Sequence, residues 1–134
     1  MSFYLAAQFS WKDSVAAKKK QLEQLGFKVT STWTDEVADP KCSLKDFSGD
    51  YHKEMADRDL REINEADVLV AFSVDPDTLT RRGGRHVEFG YALGRGKSVV
   101  VVGPRENIFH HLPNVKQFDS WDEFIFDLLY RSKD

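Results

Sequence analysis

Two short runs of apolar residues, at 67–72 and 97–102, constrain the fold of this chain more than any other feature. Both are rich in valine and apolar almost throughout, which is typical of strands that helices cover on both faces of a parallel sheet. A stretch of helical length, from about 85 to 95, lies between them. Two parallel strands joined through a helix form a right-handed crossover unit. The two runs therefore predict a parallel sheet inside an α/β sandwich.

The rest of the chain continues this alternation of strand and helix. The other predicted elements are strands at 2–7, 27–31 and 115–118, helices at 12–25 and 52–65, and a last helix after Ser120. This order predicts a flavodoxin-like (Rossmann-like) doubly wound α/β sandwich with a five-strand parallel sheet. Because the chain has 134 residues, we expect residues 1–134 to form a single domain.

Charge and composition exclude several classes of function. Lysine and arginine number 19 against 22 aspartates and glutamates, a net charge of −3, so we expect no nucleic-acid polymer as partner. No apolar stretch approaches the roughly 20 residues that span a bilayer, so we expect no membrane partner. The first residues lack the features of a signal peptide, and the one cysteine, Cys42, leaves no internal disulfide. We therefore predict a cytoplasmic protein.

Histidines and acidic residues do not fall into the spacing of a metal site. His110 and His111 are adjacent, so their side chains point apart on a helix or a strand. His86 and Glu88 are two residues apart and do not share a helical face. The chain has neither an HExxH motif nor a cysteine cluster. We predict no metal and no cofactor.

Glu88 is the strongest candidate for chemistry. Ligands of a doubly wound sheet bind at the carboxyl ends of the strands, which here lead into loops 7–11, 32–51, 73–84 and 103–112. Glu88 follows the third of these loops, in a helix so apolar that we expect it to be buried between the sheet and a partner.

Two interpretations of this glutamate are open. We place it in the first turn of the helix, where burial disfavours its charge and the helix N-terminus favours it. In the first interpretation it only complements the helix dipole. In the second it is an ionised nucleophile or base, just past the Gly83-Gly84 pair that lets a ligand approach the backbone.

Asp59 is the second candidate carboxylate. It shares a helical stripe with Ala56 and Ile63 at the border of the buried face, whereas Asp57 has Arg61 as an exposed partner four residues later. Cleavage of a glycosidic bond needs two carboxylates, and here they would come from different segments of the chain. The alternative for both is surface charge.

Arginines and tryptophans are candidates for binding a ligand in these loops. Arg81, Arg82 and Arg85 precede or open the helix of the glutamate, where they either hold a phosphate or carboxylate group or remain solvated. Trp11 and Trp33 follow the first two strands, where a ring either stacks on a planar base or fills the core.

Three segments agree in order and spacing with a known family: 4–9 (YLAAQF), 59–67 (DLREINEAD) and 84–97 (GRHVEFGYALGRGK). They resemble the nucleoside 2-deoxyribosyltransferase superfamily, which includes transferases acting on deoxynucleosides and hydrolases acting on nucleoside 5′-monophosphates. The third segment is the most specific of the three, and the order and spacing of the segments agree with the family over nearly the whole chain.

The resemblance implies a role for several residues. Glu88 would be the nucleophile that attacks C1′ of the sugar and forms a covalent glycosyl-enzyme. Tyr4 would orient Glu88, and Asp59 would bind the sugar or assist proton transfer to the leaving base. Family members are dimers or larger homo-oligomers, and Asn107 of a neighbouring subunit is our candidate for the residue that completes the site.

The chain departs from the family pattern at two places. Ala7 and Gln8 stand where the first motif has Gly-Pro, and Arg82 stands six residues before the glutamate, where the transferases carry aspartate and the hydrolases serine. The group that protonates the leaving base is therefore open, with Asp75 and Asp77 as candidates.

The resemblance thus predicts an enzyme that cleaves the N-glycosidic bond of a 2′-deoxynucleoside through a deoxyribosyl-glutamate intermediate and transfers the sugar to another base. The alternatives are a hydrolase of (deoxy)nucleoside 5′-monophosphates and a non-catalytic nucleotide-binding module. The predicted substrate-binding residues are Ala7, Gln8, Phe9, Trp33, Arg82, Gly84, Arg85 and Asn107.

Overall fold

A computed structural model describes residues 1–36, 48–78 and 82–131 of the chain, and within these ranges five strands form one parallel sheet. The strands are β1 (Ser2–Ala6), β2 (Lys28–Val29), β3 (Val68–Phe72), β4 (Ser98–Val102) and β5 (Val115–Phe118). Their order in the sheet is β2-β1-β3-β4-β5, and every neighbouring pair is parallel. This is the flavodoxin-like order, so the predicted fold class is confirmed.

Helices cover both faces of the sheet. They are α1 (Lys12–Gln24), α2 (Gly49–Glu65), α3 (Gly84–Gly94) and α4 (Trp121–Tyr130). The pair α2 and α3 pack together on one face. On the other face α4 reaches α1, where Trp121 Nε1 donates a hydrogen bond of 2.7 Å to Gln21 Oε1. The sandwich is therefore doubly wound, with α2 and α3 on the same side.

Two elements, α2 and β2, have boundaries that differ from those predicted from the sequence. Helix α2 begins three residues earlier than predicted, since the Ser48 hydroxyl accepts a hydrogen bond from the Tyr51 amide and caps the helix. Strand β2 is shorter than predicted and ends at Val29; the Thr30 amide still donates to the Phe3 carbonyl oxygen at 2.8 Å, and Thr30 Oγ1 donates to the Glu62 carbonyl oxygen at 2.7 Å. Helix α4 follows Ser120, as predicted, and the Ser120 hydroxyl caps it by accepting a hydrogen bond from the Glu123 amide.

The central strands form the core of the sheet. All five residues of β1 and of β3 are buried, as expected for strands covered on both faces. Leu5, Val70 and Val101, from three adjacent strands, are completely inaccessible to solvent. Burying each such side chain stabilises the fold by about 1.5–3 kcal/mol. The order of the strands reverses between β1 and β3, and ligands of doubly wound sheets bind outside the carboxyl ends of the strands at such a point.

The loops after β3 and β4 are joined to each other directly. Ser73 Oγ donates a hydrogen bond of 2.6 Å to the Pro104 carbonyl oxygen. Gly103 has a φ of +117°, and a Cβ there would lie 2.5 Å from Ser73 Oγ, so this position requires glycine. The loops at the carboxyl ends of β3 and β4 are thus held together.

The outer surface of α3 differs from the expectation. Val87 is 67% exposed and Gly90 is exposed, so the described segments of this chain do not cover that side of the helix. The partner that we predicted to bury it stays a prediction. Among the described residues, none of the helices combines the length and the apolar character that crossing a membrane requires.

Candidate active site

Tyr4 and Glu88 meet where β1 faces α3. Tyr4 lies in the middle of β1 beside Leu69 of β3 and is completely buried, and its hydroxyl donates a hydrogen bond to Glu88 Oε2. Glu88 itself is only partly buried. A rigid strand therefore holds one carboxylate oxygen and leaves the other free for a second contact.

Glu88 does not lie in the first turn of its helix, and our placement there was wrong. Helix α3 begins at Gly84 after Gly83, whose φ of +68° suits glycine, and its first turn holds no acidic residue. Glu88 is the fifth residue of the helix. Because the field of a helix N-terminus fades within the first turn, complementing the helix dipole does not explain this residue.

The electrostatic surroundings of Glu88 favour its neutral form. The pKa of Glu88 is raised to about 8: burial is the largest cause, the Tyr4 hydrogen bond opposes it, and the nearby charge of Asp59 adds to it. The Tyr4 hydroxyl stays protonated, since burial and then the charge of Glu88 raise the pKa of Tyr4. The tyrosine is therefore a permanent donor, and the glutamate ionises near neutral to mildly alkaline pH.

Asp59, in α2, is the third side chain of the site that Tyr4 and Glu88 form. Helix α2 packs against both β1 and α3, the elements that carry Tyr4 and Glu88, and the charge of Asp59 raises the pKa of both residues. Burial raises the pKa of Asp59 itself, and the hydrogen bonds from Arg58 oppose this shift. The structure thus brings together the three side chains to which the family resemblance gave catalytic roles.

Arg58 links Asp59 to the rest of the site, and our sequence reasoning missed it. Its Nε and Nη2 atoms lie 3.1 and 2.9 Å from Asp59 Oδ1, and Nη2 also bonds to Glu36. Its Nε lies 4.0 Å from Glu62, which in turn accepts hydrogen bonds from the amide and hydroxyl of Thr32. The only sequence signal was the i, i+4 spacing of Arg58 and Glu62.

Asp57 does not pair with Arg61 as predicted. It binds Lys53 on the preceding helical turn, with the ammonium nitrogen 2.7 Å from its carboxylate. Both partners are largely exposed, so this pair belongs to the solvated surface of α2.

Trp33 is a core residue. Its indole Nε1 donates a hydrogen bond of 2.7 Å to the Leu5 carbonyl oxygen at the end of β1, and only 6% of the residue is exposed. Of the two interpretations, core packing is the one that the structure shows, which corrects the expectation of base stacking. Phe9 packs against this ring with centroids 6.2 Å apart and is itself 38% exposed, at the start of the loop that Ala7 and Gln8 open.

Arg85 is not presented to a ligand, which corrects the prediction that it binds substrate. Its two terminal nitrogens bind the two carboxylate oxygens of Glu106, each at 2.6 Å, and the residue is buried. Arg82 is exposed, and Gly84 has open space where a Cβ would stand. Arg81 and Cys42 lie outside the described residues.

Glu106 connects the loop after β3, the start of α3 and the turn that contains His110. It was not identified as a candidate from the sequence. Besides Arg85, it accepts a hydrogen bond of 3.1 Å from the Val74 amide and lies 3.3 Å from His86 Nε2. Its own amide donates to His110 Nδ1 at 3.0 Å. Burial disfavours its charge, but the hydrogen bonds from Arg85 and the Val74 amide outweigh burial and lower the pKa of Glu106. These residues are called the Glu106 cluster below.

Asn107 faces a different side of α3 from Glu88. Its Oδ1 caps the short helical turn Ile108–His111 through the Phe109 amide, and its Nδ2 lies 3.5 Å from His86 Nδ1. It lines a groove of about 390 Å³ with His86, Phe89, Gly90, Leu93 and Phe109. Glu88 is not part of this groove.

The loop candidates for proton donation are exposed. Asp75 and Asp77 both lie at the surface, and Asp75 Oδ1 accepts a hydrogen bond of 2.9 Å from the Asp77 amide in a local turn. The described segments contain no group of three or more histidine, cysteine, aspartate or glutamate side chains arranged to hold a metal.

Comparison with known proteins defines the class of enzyme. The chain is 35% identical over 112 residues, 81% of its own length and 71% of the relative's, to a protein of Thermofilum pendens named "Putative 2'-deoxynucleoside 5'-phosphate N-hydrolase 1". No family model matches the chain.

Solved structures of similar shape agree on the fold. A Clostridium botulinum CMP N-glycosidase has a TM-score of 0.63 at 21% identity, covering 97% of this chain and 100% of its own. A 2-deoxyribosyltransferase of Bacillus psychrosaccharolyticus has a TM-score of 0.68 at 21% identity, with 92% and 90% covered. The site and these likenesses define an enzyme that acts on the N-glycosidic bonds of nucleosides or nucleotides. The chain belongs to the nucleoside 2-deoxyribosyltransferase superfamily.

Proposed function

We propose that this enzyme cleaves the N-glycosidic bond of a 2′-deoxynucleoside by double displacement, with Glu88 as the nucleophile. The observation that carries the proposal is the partly buried Glu88 carboxylate, fixed by the Tyr4 hydroxyl and close to Asp59 at the carboxyl edge of the sheet. Two carboxylates side by side, one oriented and one adjacent, suit attack at an anomeric carbon.

In the first step the free oxygen of Glu88 attacks C1′ of the sugar. The bond from this oxygen to C1′ forms as the C1′–N bond breaks, and the electron pair leaves with the base, which takes up a proton. The Tyr4 hydroxyl holds the other oxygen of Glu88, so the attacking oxygen keeps its direction. The negative charge of Asp59 stabilises the positive charge that develops on the sugar.

In the second step a nitrogen of the acceptor attacks C1′ from the opposite side: the new C1′–N bond forms as the ester bond to Glu88 breaks, and the acceptor gives up its N–H proton in place of the one that the leaving base took up. The Glu88 carboxylate is released, and two inversions give net retention at C1′. We propose that the acceptor is a second base, which makes the enzyme a transferase. Asp59 either binds the sugar or carries the proton to the leaving base.

Hydrolysis of 2′-deoxynucleoside 5′-monophosphates is the second candidate. The Thermofilum pendens relative carries the name of such an activity. In addition, Arg82 is exposed directly before the open start of α3, where it is free to meet a phosphate group. The family membership favours either enzyme over the non-catalytic binding module.

One experiment separates these functions. The protein is incubated with each deoxynucleoside and each 5′-monophosphate, with and without a free acceptor base, and the products are separated by chromatography. Exchange of the base supports the transferase. Release of free base from monophosphates alone supports the hydrolase, and no turnover of any substrate contradicts both. Glu88→Gln serves as the blank, and Glu23→Gln on the exposed side of α1 serves as the matched control.

We also propose that a neighbouring subunit supplies Asn107. Its side chain points into the groove of α3 that excludes Glu88, so within one chain it is placed away from the nucleophile. Mixing Glu88→Gln with Asn107→Ala protein tests this. Recovery of activity in the mixture supports a shared site, whereas additive inactivity, or an unimpaired Asn107→Ala variant, contradicts it.

A further inference from the structure

We infer that Arg58 is a positioning residue of this active site: its guanidinium, bonded to both Asp59 and Glu36, holds the Asp59 carboxylate in place and puts a positive charge among the acidic side chains of the site. The inference rests on the proposed function, since it assigns Arg58 a part in the chemistry of Glu88. It does not require Arg58 to touch the substrate.

The geometry fixes Arg58 between two elements. Two of its nitrogens converge on one oxygen of Asp59, at 3.1 and 2.9 Å, and Nη2 continues to Glu36 in the segment after β2. The guanidinium is planar and rigid, so one partner orients the other. The Arg58 side chain is 18% exposed, and those of Asp59 and Glu36 are 26% and 25% exposed. The contacts are thus partly shielded from water, where such pairs act more strongly than at the surface.

Acidic side chains outnumber basic ones around Glu88. Within the described segments, the groups that act on it are the Tyr4 hydroxyl from β1 and Asp59, Glu62 and Arg58 from α2. Arg58 is the basic residue of this set, and it lowers the pKa of Glu88, whereas both acidic neighbours raise it.

Arg58 keeps its own charge in this setting. Burial disfavours that charge, but the hydrogen bonds to Glu36 and Asp59 outweigh burial and raise the pKa of Arg58. The arginine is therefore cationic at every pH at which the enzyme works. Without it, Asp59 and Glu36 would lose their shared counter-charge, and repulsion among the carboxylates would oppose ionisation of the nucleophile.

A purely structural role is the competing explanation, because Arg58 also joins α2 to the segment after β2. The two roles predict changes in different measured quantities. A structural bridge changes stability but leaves the ionisation of Glu88 where it is. A positioning residue moves that ionisation, and with it the pH dependence of turnover.

The test compares three variants with the wild type. Arg58→Gln removes the charge, Arg58→Lys keeps the charge but lacks the planar fork, and Arg61→Gln removes an exposed charge one turn along α2. Two quantities are measured from pH 5 to 10: kcat/KM for base release, and the ionisation of Glu88 followed by ¹³C NMR on glutamate-labelled protein, with Glu88→Gln for assignment. Thermal melting confirms that each variant is folded.

We expect Arg58→Gln to move the acid limb of kcat/KM and the NMR midpoint upward by about one pH unit, the lower end of shifts that a nearby charge causes. Activity below both midpoints then falls about ten-fold and recovers in alkali. Arg58→Lys should keep both midpoints but lower kcat, and Arg61→Gln should match the wild type.

Unchanged midpoints in Arg58→Gln, with only a lower melting temperature, would overturn the inference. So would an upward shift of the same size in Arg58→Lys. The NMR midpoint needs no turnover, so a wild type that cleaves no substrate refutes the proposed function on its own and leaves the electrostatic part of the inference to be decided by the titration.

Discussion

Two carboxylates at the ends of the sheet, Glu88 and Glu106, have opposite surroundings. Glu106 is matched atom for atom by Arg85, with side-chain exposures of 10% and 6%, and the Val74 amide adds a further donor. Glu88 has a neutral tyrosine as its direct partner and two carboxylates nearby. The pKa of Glu106 is lowered by its hydrogen bonds, whereas burial raises the pKa of Glu88 to about 8.

The difference separates a structural carboxylate from a reactive one. The Glu106 carboxylate binds Arg85 and the Val74 amide, so it holds the loops after β3 and β4 against the start of α3. Glu88 has an oxygen that no partner in the described structure engages in a hydrogen bond, and its charge is under-compensated. Carboxylates whose charge is only partly neutralised by the protein are common in active sites, because a bound substrate can complete their contacts.

Exchange of Glu88 for glutamine should have the largest effect. It removes the nucleophile while keeping the shape and the Tyr4 contact, so we expect kcat to fall by at least about a thousand-fold. Steady-state base release measures this, with Glu23→Gln as the control. A Glu88→Gln enzyme within ten-fold of the wild type would refute the role of Glu88.

Exchange of Glu106 for glutamine should instead destabilise the fold. It leaves the buried Arg85 guanidinium without its counter-charge, and breaking such a pair costs about 3–5 kcal/mol. Urea denaturation measures the loss of unfolding free energy, which should far exceed that of Glu88→Gln. Equal stability of the two variants would erase the contrast between the two carboxylates.

The pH dependence of stability should differ in sign between these sites. Glu88 ionises near pH 4.5 in the unfolded chain and near pH 8 in the folded one. The folded state binds the extra proton in this window, so rising pH destabilises the protein by an amount on the order of a few kcal/mol. Glu88→Gln should therefore gain stability over the wild type as pH rises.

For Glu106, whose pKa is lowered, the stability of the protein should instead increase with rising pH. Its contribution is present above its unfolded pKa and is lost as pH falls through the folded one. Denaturation curves at intervals from pH 4 to 9 give the two free-energy differences. A Glu88→Gln difference that stays constant across this range would contradict the raised pKa.

Tyr4→Phe should have a smaller effect than loss of either carboxylate. It removes one hydrogen bond to a charged group, about 1.5–3 kcal/mol, so we expect kcat/KM to fall roughly 10- to 100-fold. Because this hydrogen bond lowers the pKa of Glu88, the acid limb of the pH profile should also move upward. A lower rate with an unmoved acid limb would show that Tyr4 acts on packing alone.

The sequence was sufficient for the fold and for part of the site. Continuous apolar runs such as 68–72 are typical of strands that are covered on both sides, and their alternation with segments of helical length predicted the sheet. Residues 84–97 made Glu88 stand out, because a carboxylate within an apolar helix is conspicuous. The turn in which it lies was misplaced, since helix boundaries depend on caps, and Gly83 provides no side-chain cap.

The two arginine networks could not be predicted, because their partners are distant in sequence. Arg85 and Glu106 are 21 residues apart, and Arg58 and Glu36 are 22 apart. Spacing along one helix predicts only neighbours on that helix, and it even misled us for Asp57. Whether an arginine near the site binds a ligand or an internal carboxylate is settled by tertiary packing.

The most direct test of the central claim is to trap the sugar on the enzyme. Wild-type protein is mixed with a 2′-deoxynucleoside that it cleaves, quenched in acid within one turnover, digested and analysed by mass spectrometry. We predict one deoxyribosyl group on the peptide that contains Glu88, absent from Glu88→Gln and removed when an acceptor base is added before the quench. Rapid turnover with the sugar on another residue, or with no adduct at any quench time, would contradict the account.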